Sequence, residues 1–263
     1  KNSYVDNTFI SVPNTNAAKE RIEVIEKVAA RGGFFYKPWV ISGQDVPDQL
    51  VVNGDVEDEK ALGIHWNVRD DEFYVKVNVA GKKRNLKISL QSICDSPDLK
   101  LTLRDCLSLH AKAYDPLGIV LPTKQIGNLL FRKTLRGLNL SIKEAGSGKK
   151  ISPWDLEVIE YRDEWMNYFG MLEALKDIKF PRSIKPLNVM EDTKPSLVTF
   201  SDGNEDAFGA CAYALWTLAD GNKEARLILA KAKLGPLLNK GETVKNELSG
   251  ATYAVRIKTW IIQ

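Results

Sequence analysis

Two carboxylates stand where hydrolytic chemistry would need them. Asp202 closes a short apolar run, Leu197-Val198-Thr199-Phe200-Ser201, and reads as the end of a β-strand. Glu247 falls early in a segment that starts at Thr243, a suitable helix N-cap, and runs to at least Trp260. Glu247, Ala251 and Ala254 recur at i, i+4 and i+7, so the spacing predicts that the carboxylate leans toward a sheet, beside the Leu248, Ala251 and Val255 face. A carboxylate so placed needs a cation, a donor or water, and Asp202 would be its neighbour across a divalent metal. Alternatively, Asp202 only makes an Asx-type turn in Ser201-Asp202-Gly203-Asn204, and Glu247 only favours the first turn of its helix electrostatically.

Other metal and thiol chemistry has less to work with. Cys94, Cys106 and Cys211 form no CxxC pair and the histidines are His65 and His110, so neither a zinc site nor a disulfide framework is expected. The cysteines read as small buried thiols in a reducing compartment, with a catalytic Cys-His pair as the alternative. Nor is there a run of eighteen apolar residues or a basic-then-apolar leader, which excludes a visible membrane span or signal peptide. An intracellular, cytoplasmic setting is the expectation.

The formal charge of +3 hides an asymmetry. Residues 41–80 carry three basic and nine acidic side chains, whereas residues 81–150 carry fourteen basic and five acidic ones. A basic stretch of this kind can track phosphates by counterion release, or be simply a solvated face. Lys124, Arg132, Lys133 and Arg136 are its candidates for nucleic-acid contact.

The elements that must position these groups form three blocks. With 263 residues, 44% hydrophobic and 27% charged, the chain can build one large or two modest cores. In the first block, Tyr4-Val5-Asp6-Asn7 sits in a strand-turn-strand setting. A helix follows over Ala17 to Arg31 and stops at Gly32-Gly33, and Phe34 to Tyr36, Trp39 to Ile41, Leu62 to Trp66 and Phe73 to Val77 read as extended. The second block is mostly helical. Leu101 to Ala113 breaks at Tyr114-Asp115-Pro116-Leu117-Gly118, a helix over Thr123 to Arg136 is expected to stop at Gly137, and another starts with Ser152 as N-cap and Pro153 in the first turn. Its Leu156, Ile159, Trp165, Tyr168, Phe169, Leu172 and Leu175 read as a core stripe. The third block has strands at Leu197 to Ser201, Phe208 to Trp216 and Ala225 to Lys231, a hairpin signal at Asp220-Gly221, and then the helix of Glu247. Three antiparallel strands followed by a helix resemble the opening of the ribonuclease H fold. Lys1 begins in mid-element sequence and Trp260-Ile261-Ile262-Gln263 carries no helix stop signal, so the chain reads as an excised segment.

Motifs spread along the chain resemble those of Pao/BEL-type LTR retrotransposon Pol polyproteins. Tyr4-Val5-Asp6-Asn7 is similar to the YVDD box of reverse transcriptases, and Arg31-Gly32-Gly33-Phe34 with Lys37 and Trp39 resembles the Gly-Phe strand that follows it. Ala61-Leu62-Gly63-Ile64-His65-Trp66 resembles the LGxxW segment, and Leu107-Ser108, Tyr114-Asp115-Pro116-Leu117-Gly118 and Pro122 resemble LS…YDPLG…P. Phe180-Pro181-Arg182 resembles the IPR connection. Phe200-Ser201-Asp202, Phe208-Gly209-Ala210, Ala230-Lys231-Ala232-Lys233 and Glu247-Leu248 resemble the ribonuclease H opening FSDA…YGA…AAKSR…LEL.

The resemblance implies an α+β chain. Residues 1–80 would be the end of a reverse transcriptase palm, 81–194 a helical thumb and connection, and 195–263 the partial ribonuclease H-like sheet and helix. The intact parent would carry out RNA-templated DNA synthesis and cleave RNA in the hybrid with Mg²⁺ as cofactor. Asp6, Asp202 and Glu247 would be metal ligands, template-primer or RNA-DNA hybrid the nucleic-acid partner, and the rest of the Pol polyprotein the protein partner. Asn7 stands where the family has a second aspartate, and the remaining acidic residues of both sites would lie outside the chain. Two-metal chemistry needs carboxylates on both ions, so the segment is expected to be inactive as it stands. A non-catalytic binding or structural remnant is the first alternative. An aspartic peptidase is the second, but Cys94-Asp95-Ser96-Pro97 has Pro where a D-T/S-G loop has Gly, and Ser201-Asp202-Gly203 has the wrong order.

Overall fold

The computed structural model describes residues 3–4, 7–8, 10–12, 14–36, 39–42, 59–61, 63–77, 80–83, 86–89, 95, 100–144, 151–190, 192–236 and 243–262. The chain is mixed α+β and divides into two compact units, Lys1–Tyr74 with Lys179–Arg182, and Val75–Ile178 with Ser183–Gln263.

In the first unit, strands β1 (Ser3–Tyr4) and β2 (Asn7–Thr8) pair antiparallel ahead of helix α1 (Thr15–Arg31). The helix starts two residues before Ala17 because the Asn14 side chain accepts from the Ala17 N–H at 2.9 Å. It ends at Gly32 as expected. Residues 34–36, expected as extended, belong to no strand. Strands β3 (Glu59–Ala61), β4 (Ile64–Asn67) and β5 (Glu72–Tyr74) form an antiparallel sheet that β8 (Lys179–Pro181) completes beside β5. The β4–β5 turn is closed by Asn67, whose side chain accepts from the Asp70 N–H and donates to the Asp70 carboxylate.

The second unit opens with the hairpin of β6 (Ala80–Lys83) and β7 (Leu86–Ser89). Helix α2 (Leu103–His110) is started by a reciprocal cap between Thr102 and Asp105. Helix α3 (Leu121–Glu144) runs straight through Gly137, where a stop was expected. A Cβ at Gly137 would lie 1.9 Å from the Tyr161 hydroxyl oxygen, so this glycine admits a close neighbour. Ser152 makes no side-chain cap bond, and only single 3-10 turns form at Pro153–Asp155 and Ile159–Tyr161 before α4 (Arg162–Ala174). Ile159 is accordingly 72% exposed, while Trp165, Tyr168, Phe169, Leu172 and Leu175 are buried as the stripe predicts. Trp165 Nε1 donates to Thr134 Oγ1, which in turn donates to the Leu130 carbonyl.

Three longer strands, β9 (Ser196–Gly203), β10 (Ala207–Thr217) and β11 (Lys223–Leu234), form an antiparallel sheet in the order β11-β10-β9. Helix α5 (Thr243–Ile262) packs on it through Ala254 and Ile257 against Ala210, Ala212 and Leu229. The Tyr114-Asp115-Pro116-Leu117-Gly118 motif joins this sheet to the helices. Asp115 accepts from the Ile119 and Val120 N–H groups just before α3, and Leu117 accepts from Ala230 N on β11 at 2.8 Å. Gly118 has φ +77, and a Cβ there would lie 2.1 Å from the Ala230 oxygen. The loop motif is thus a docking joint.

Candidate functional site

Asp202 is the penultimate residue of β9 and pairs with Gly209, while Gly203 pairs with Phe208. Glu247 lies in the second turn of α5. Two glycines let these elements meet at van der Waals distance. A Cβ on Gly203 would lie 2.4 Å from the Asn246 carbonyl carbon and 2.5 Å from the Glu247 nitrogen, and one on Gly250 would lie 2.8 Å from the Asp202 oxygen. The peptide after Asp202 therefore touches the peptide before Glu247.

The side chains are arranged differently from the sequence expectation. The sheet-facing residues of α5 are Asn246, Gly250, Ala254 and Ile257. Glu247 is exposed, one position off that stripe, and Leu248 and Val255 on the expected inner face are 68% and 62% exposed. Gly250 sets the face, since a Cβ there would lie 2.8 Å from the Asp202 oxygen and 3.2 Å from that of Gly209. Asp202 is also exposed, and strand alternation groups it with Phe200 on the side turned away from Gly203. Backbone contact, not a face-to-face orientation of the carboxylates, brings the pair together. Among the described residues no hydrogen bond or ion pair engages either carboxylate, and no group of three or more His, Cys, Asp or Glu side chains clusters as a metal site.

Asn246 and Arg132 hold this corner from two directions. Asn246, 4% exposed, donates from Nδ2 to the Asn204 carbonyl at 2.7 Å. Arg132, 9% exposed, donates to the Asp206 carbonyl at 3.0 Å and to the Gly235 carbonyl at 2.6 Å. Burial first, then the Arg136 charge, pulls the Arg132 guanidinium below the usual arginine range, with Asp206 opposing. Neither Asn246 nor the inward role of Arg132 was anticipated. The i, i+4, i+8 run of Asn246, Gly250 and Ala254 was the available signal.

The other basic candidates differ in what occupies them. Lys124 donates to the Ala113 carbonyl at 2.6 Å, and burial lowers its pKa against the pull of Asp115. Lys133 pairs with Glu164 at 2.7 Å on the surface. Arg136 is half-buried one turn beyond Arg132. Asp6 lies outside the described residues, as does Cys94. Asp95 is exposed, and Ser201-Asp202-Gly203 is strand, not the loop an aspartic peptidase uses.

Residues 102–263 match the family model of the Pao retrotransposon-like RNaseH-like domain. The chain belongs to this family. A search of curated proteins finds no match. The match to the Pao domain starts at Thr102, the cap of α2, so the helical block and the sheet with its helix fall within one family segment, as they fall within one compact unit. The motif around Asp115 and Gly118 has its physical explanation in the joint to β11. No helix among the described residues is long and apolar enough to cross a membrane.

Proposed function

We propose that this Pao segment supplies part of a metal-dependent site for hydrolysis of the RNA strand of an RNA-DNA hybrid, in which Asp202 and Glu247 would be two of the ligands that hold Mg²⁺. The observation that carries this reading is the glycine-permitted contact of Gly203 with the Asn246–Glu247 peptide, which brings together the backbone segments that bear the two exposed carboxylates. The donor set fits the ion, since carboxylate oxygens are the ligands hard divalent cations take, and both are exposed and uncommitted to basic partners among the described residues. When bound, the ion would activate water and stabilise developing charge on the phosphate. The chain's own part is to hold two anionic oxygens at one corner and, through Arg136 and Lys133, to offer positive charge to the nucleic-acid backbone.

Residues 1–80 would belong to the polymerase portion of the same Pol polyprotein, with Asp6 as its metal ligand and Asn7 favouring a palm that does not polymerise. Two carboxylates on one corner bind a divalent ion without completing two-metal hydrolysis, so ion binding without hybrid cleavage is expected of the segment. The test is Mn²⁺ titration followed by NMR line broadening. Broadening centred on Ser201 to Gly203 and Asn246 to Leu248, weakened at least about tenfold by Asp202→Asn or Glu247→Gln, supports the site. Broadening elsewhere, or indifference to both substitutions, overturns it.

A further inference from the structure

A buried arginine satisfied by carbonyls of two distant turns is an expensive way to gain stability, because the guanidinium gives up its water. Arg132 is such a residue. Its two bonds reach Asp206, in the β9–β10 turn, and Gly235, just past β11, while the Asp206 carboxylate stays 3.9 Å away. The same turn is tied internally. Gly235 N donates to Asp206 O at 2.7 Å, and the Asn204 side chain accepts from the Asp206 and Ala207 N–H groups at 2.9 and 2.8 Å. From the other side Asn246 donates to the Asn204 carbonyl. A continuous set of bonds therefore runs from α3 through the turn that follows Asp202 to the residue that precedes Glu247.

We infer that Arg132 is a positioning residue for the Asp202–Glu247 corner. Resting on the metal-site reading above, this role fixes the β9–β10 turn so that Asn204 can receive Asn246 and hold the second turn of α5 against β9. Arg132 has no direct part in phosphate contact, because both of its outer nitrogens are used inward. A lysine cannot replace it, since one ammonium cannot span the two carbonyls with the planar fork.

The test compares Arg132→Lys with Thr134→Val, a buried change on the same helix that breaks the Trp165 bond and touches no part of the turn. Two quantities are read in the full chain: Mn²⁺ affinity by NMR line broadening, and amide exchange at Ala207 and Gly235. Arg132→Lys is expected to weaken Mn²⁺ binding and to accelerate both amides by about tenfold, the scale of losing a hydrogen bond to a charged group. Thr134→Val should leave both within about twofold at matched loss of stability. Equal effects of the two variants on Mn²⁺, or unchanged exchange in Arg132→Lys, would overturn the positioning role. If Arg132→Lys does not fold, Asn246→Ala cuts the same set of bonds from α5 and is held to the same two readouts. Wild-type chain that binds no Mn²⁺ in an Asp202-dependent way would defeat the metal reading itself, and the exchange data would still decide whether Arg132 holds the turn.

Discussion

Arg182 grips Asp71 with both its side chain and its backbone. Nε and Nη2 lie 2.6 and 3.0 Å from the two carboxylate oxygens, and the Arg182 N–H donates to the Asp71 carbonyl at 2.9 Å. The guanidinium also lies over the Trp66 ring at 5.5 Å, and Trp66 Nε1 donates to the same carboxylate. Asp71 holds this position with φ at 55, a left-handed conformation an aspartate tolerates better than most residues. The grip fixes β8 beside β5, from which it is separated by more than a hundred residues.

Arg182→Ala should therefore loosen that strand pair. Both side chains are about a third exposed, so solvent screening limits the loss to about 1–2 kcal/mol. Hydrogen exchange of the amides joining Glu72–Tyr74 to Lys179–Pro181 reports it directly. Arg182→Lys should recover less than half, because the ammonium keeps the charge and loses the fork. Equal exchange in all three proteins would show that strand pairing alone holds β8.

The buried His110 sets an acid limit on the second unit. Its Nδ1 meets the Tyr168 hydroxyl at 2.6 Å and its Nε2 meets Asn128 Oδ1 at 3.1 Å. Burial chiefly, and then the Lys124 charge, lower its pKa, with only the Asn128 bond favouring the charged form. The folded state thus holds His110 neutral while the unfolded chain protonates near the ordinary value of about 6.5. Stability should be level above that pH and fall as pH drops below it toward the lowered folded value. Urea midpoints measured at pH 7.5 and 5.5 check the sign, and His110→Gln should flatten the difference.

How much of this was legible in the sequence depended on whether a residue's role was local. The strands flanking Asp220-Gly221, the stop at Gly32 and the Trp165 to Leu175 stripe follow from turn chemistry and helical periodicity, and all are present. Gly137 was misread because a glycine that ends a helix and one that admits a tyrosine look alike in one dimension. The face of α5 was misread for a related reason: Leu248 and Val255 have the hydrophobicity of a core, but Gly250 and Ala254 have the size the sheet demands. Residue type and spacing put Asp202 at the end of a strand and Glu247 near the start of a helix, and both lie there. Arg132 could be seen only as a charge, because its partners lie far along the chain.

Gly137→Ala separates these two roles of glycine. A mid-helix alanine would ordinarily gain roughly 0.5–1 kcal/mol. Here the methyl would collide with the Tyr161 hydroxyl, the end of a side chain that is only half-buried and can yield. The expected result is a net loss of about 1–2 kcal/mol, relieved by Tyr161→Phe. A more stable Gly137→Ala protein would mean that Tyr161 moves aside at no cost.

Nucleic-acid binding by the segment should be weak, nearly indifferent to sequence and steeply dependent on salt. Arg136 and Lys133 are the α3 cations placed to contribute, Lys133 at the cost of leaving Glu164. Fluorescence anisotropy with a labelled hybrid at several salt concentrations gives the slope. Arg136→Ala should reduce it by about one. Affinity that is constant between low and physiological salt would remove phosphate tracking from the account.

Gly250→Ala is the sharpest test of the corner itself. The added methyl would stand 2.8 Å from the Asp202 carbonyl oxygen and 3.2 Å from that of Gly209, and neither backbone atom can swing away as a side chain can. Helix α5 must lift from β9, carrying Glu247 with it. A loss of about 2–3 kcal/mol in urea stability is expected, as for overpacking in a close-fitted core. Mn²⁺ affinity should fall by about tenfold or more, since the ion would meet one carboxylate instead of two. Gly170→Ala is the matched control, being a helical glycine on α4 with nothing within 4 Å of the new methyl, and it should be neutral or stabilising by up to about 1 kcal/mol with unchanged Mn²⁺ binding. If Gly250→Ala destabilised the chain and left the ion bound as tightly as before, the close approach of helix and strand would be packing alone, and the two carboxylates would not share a metal.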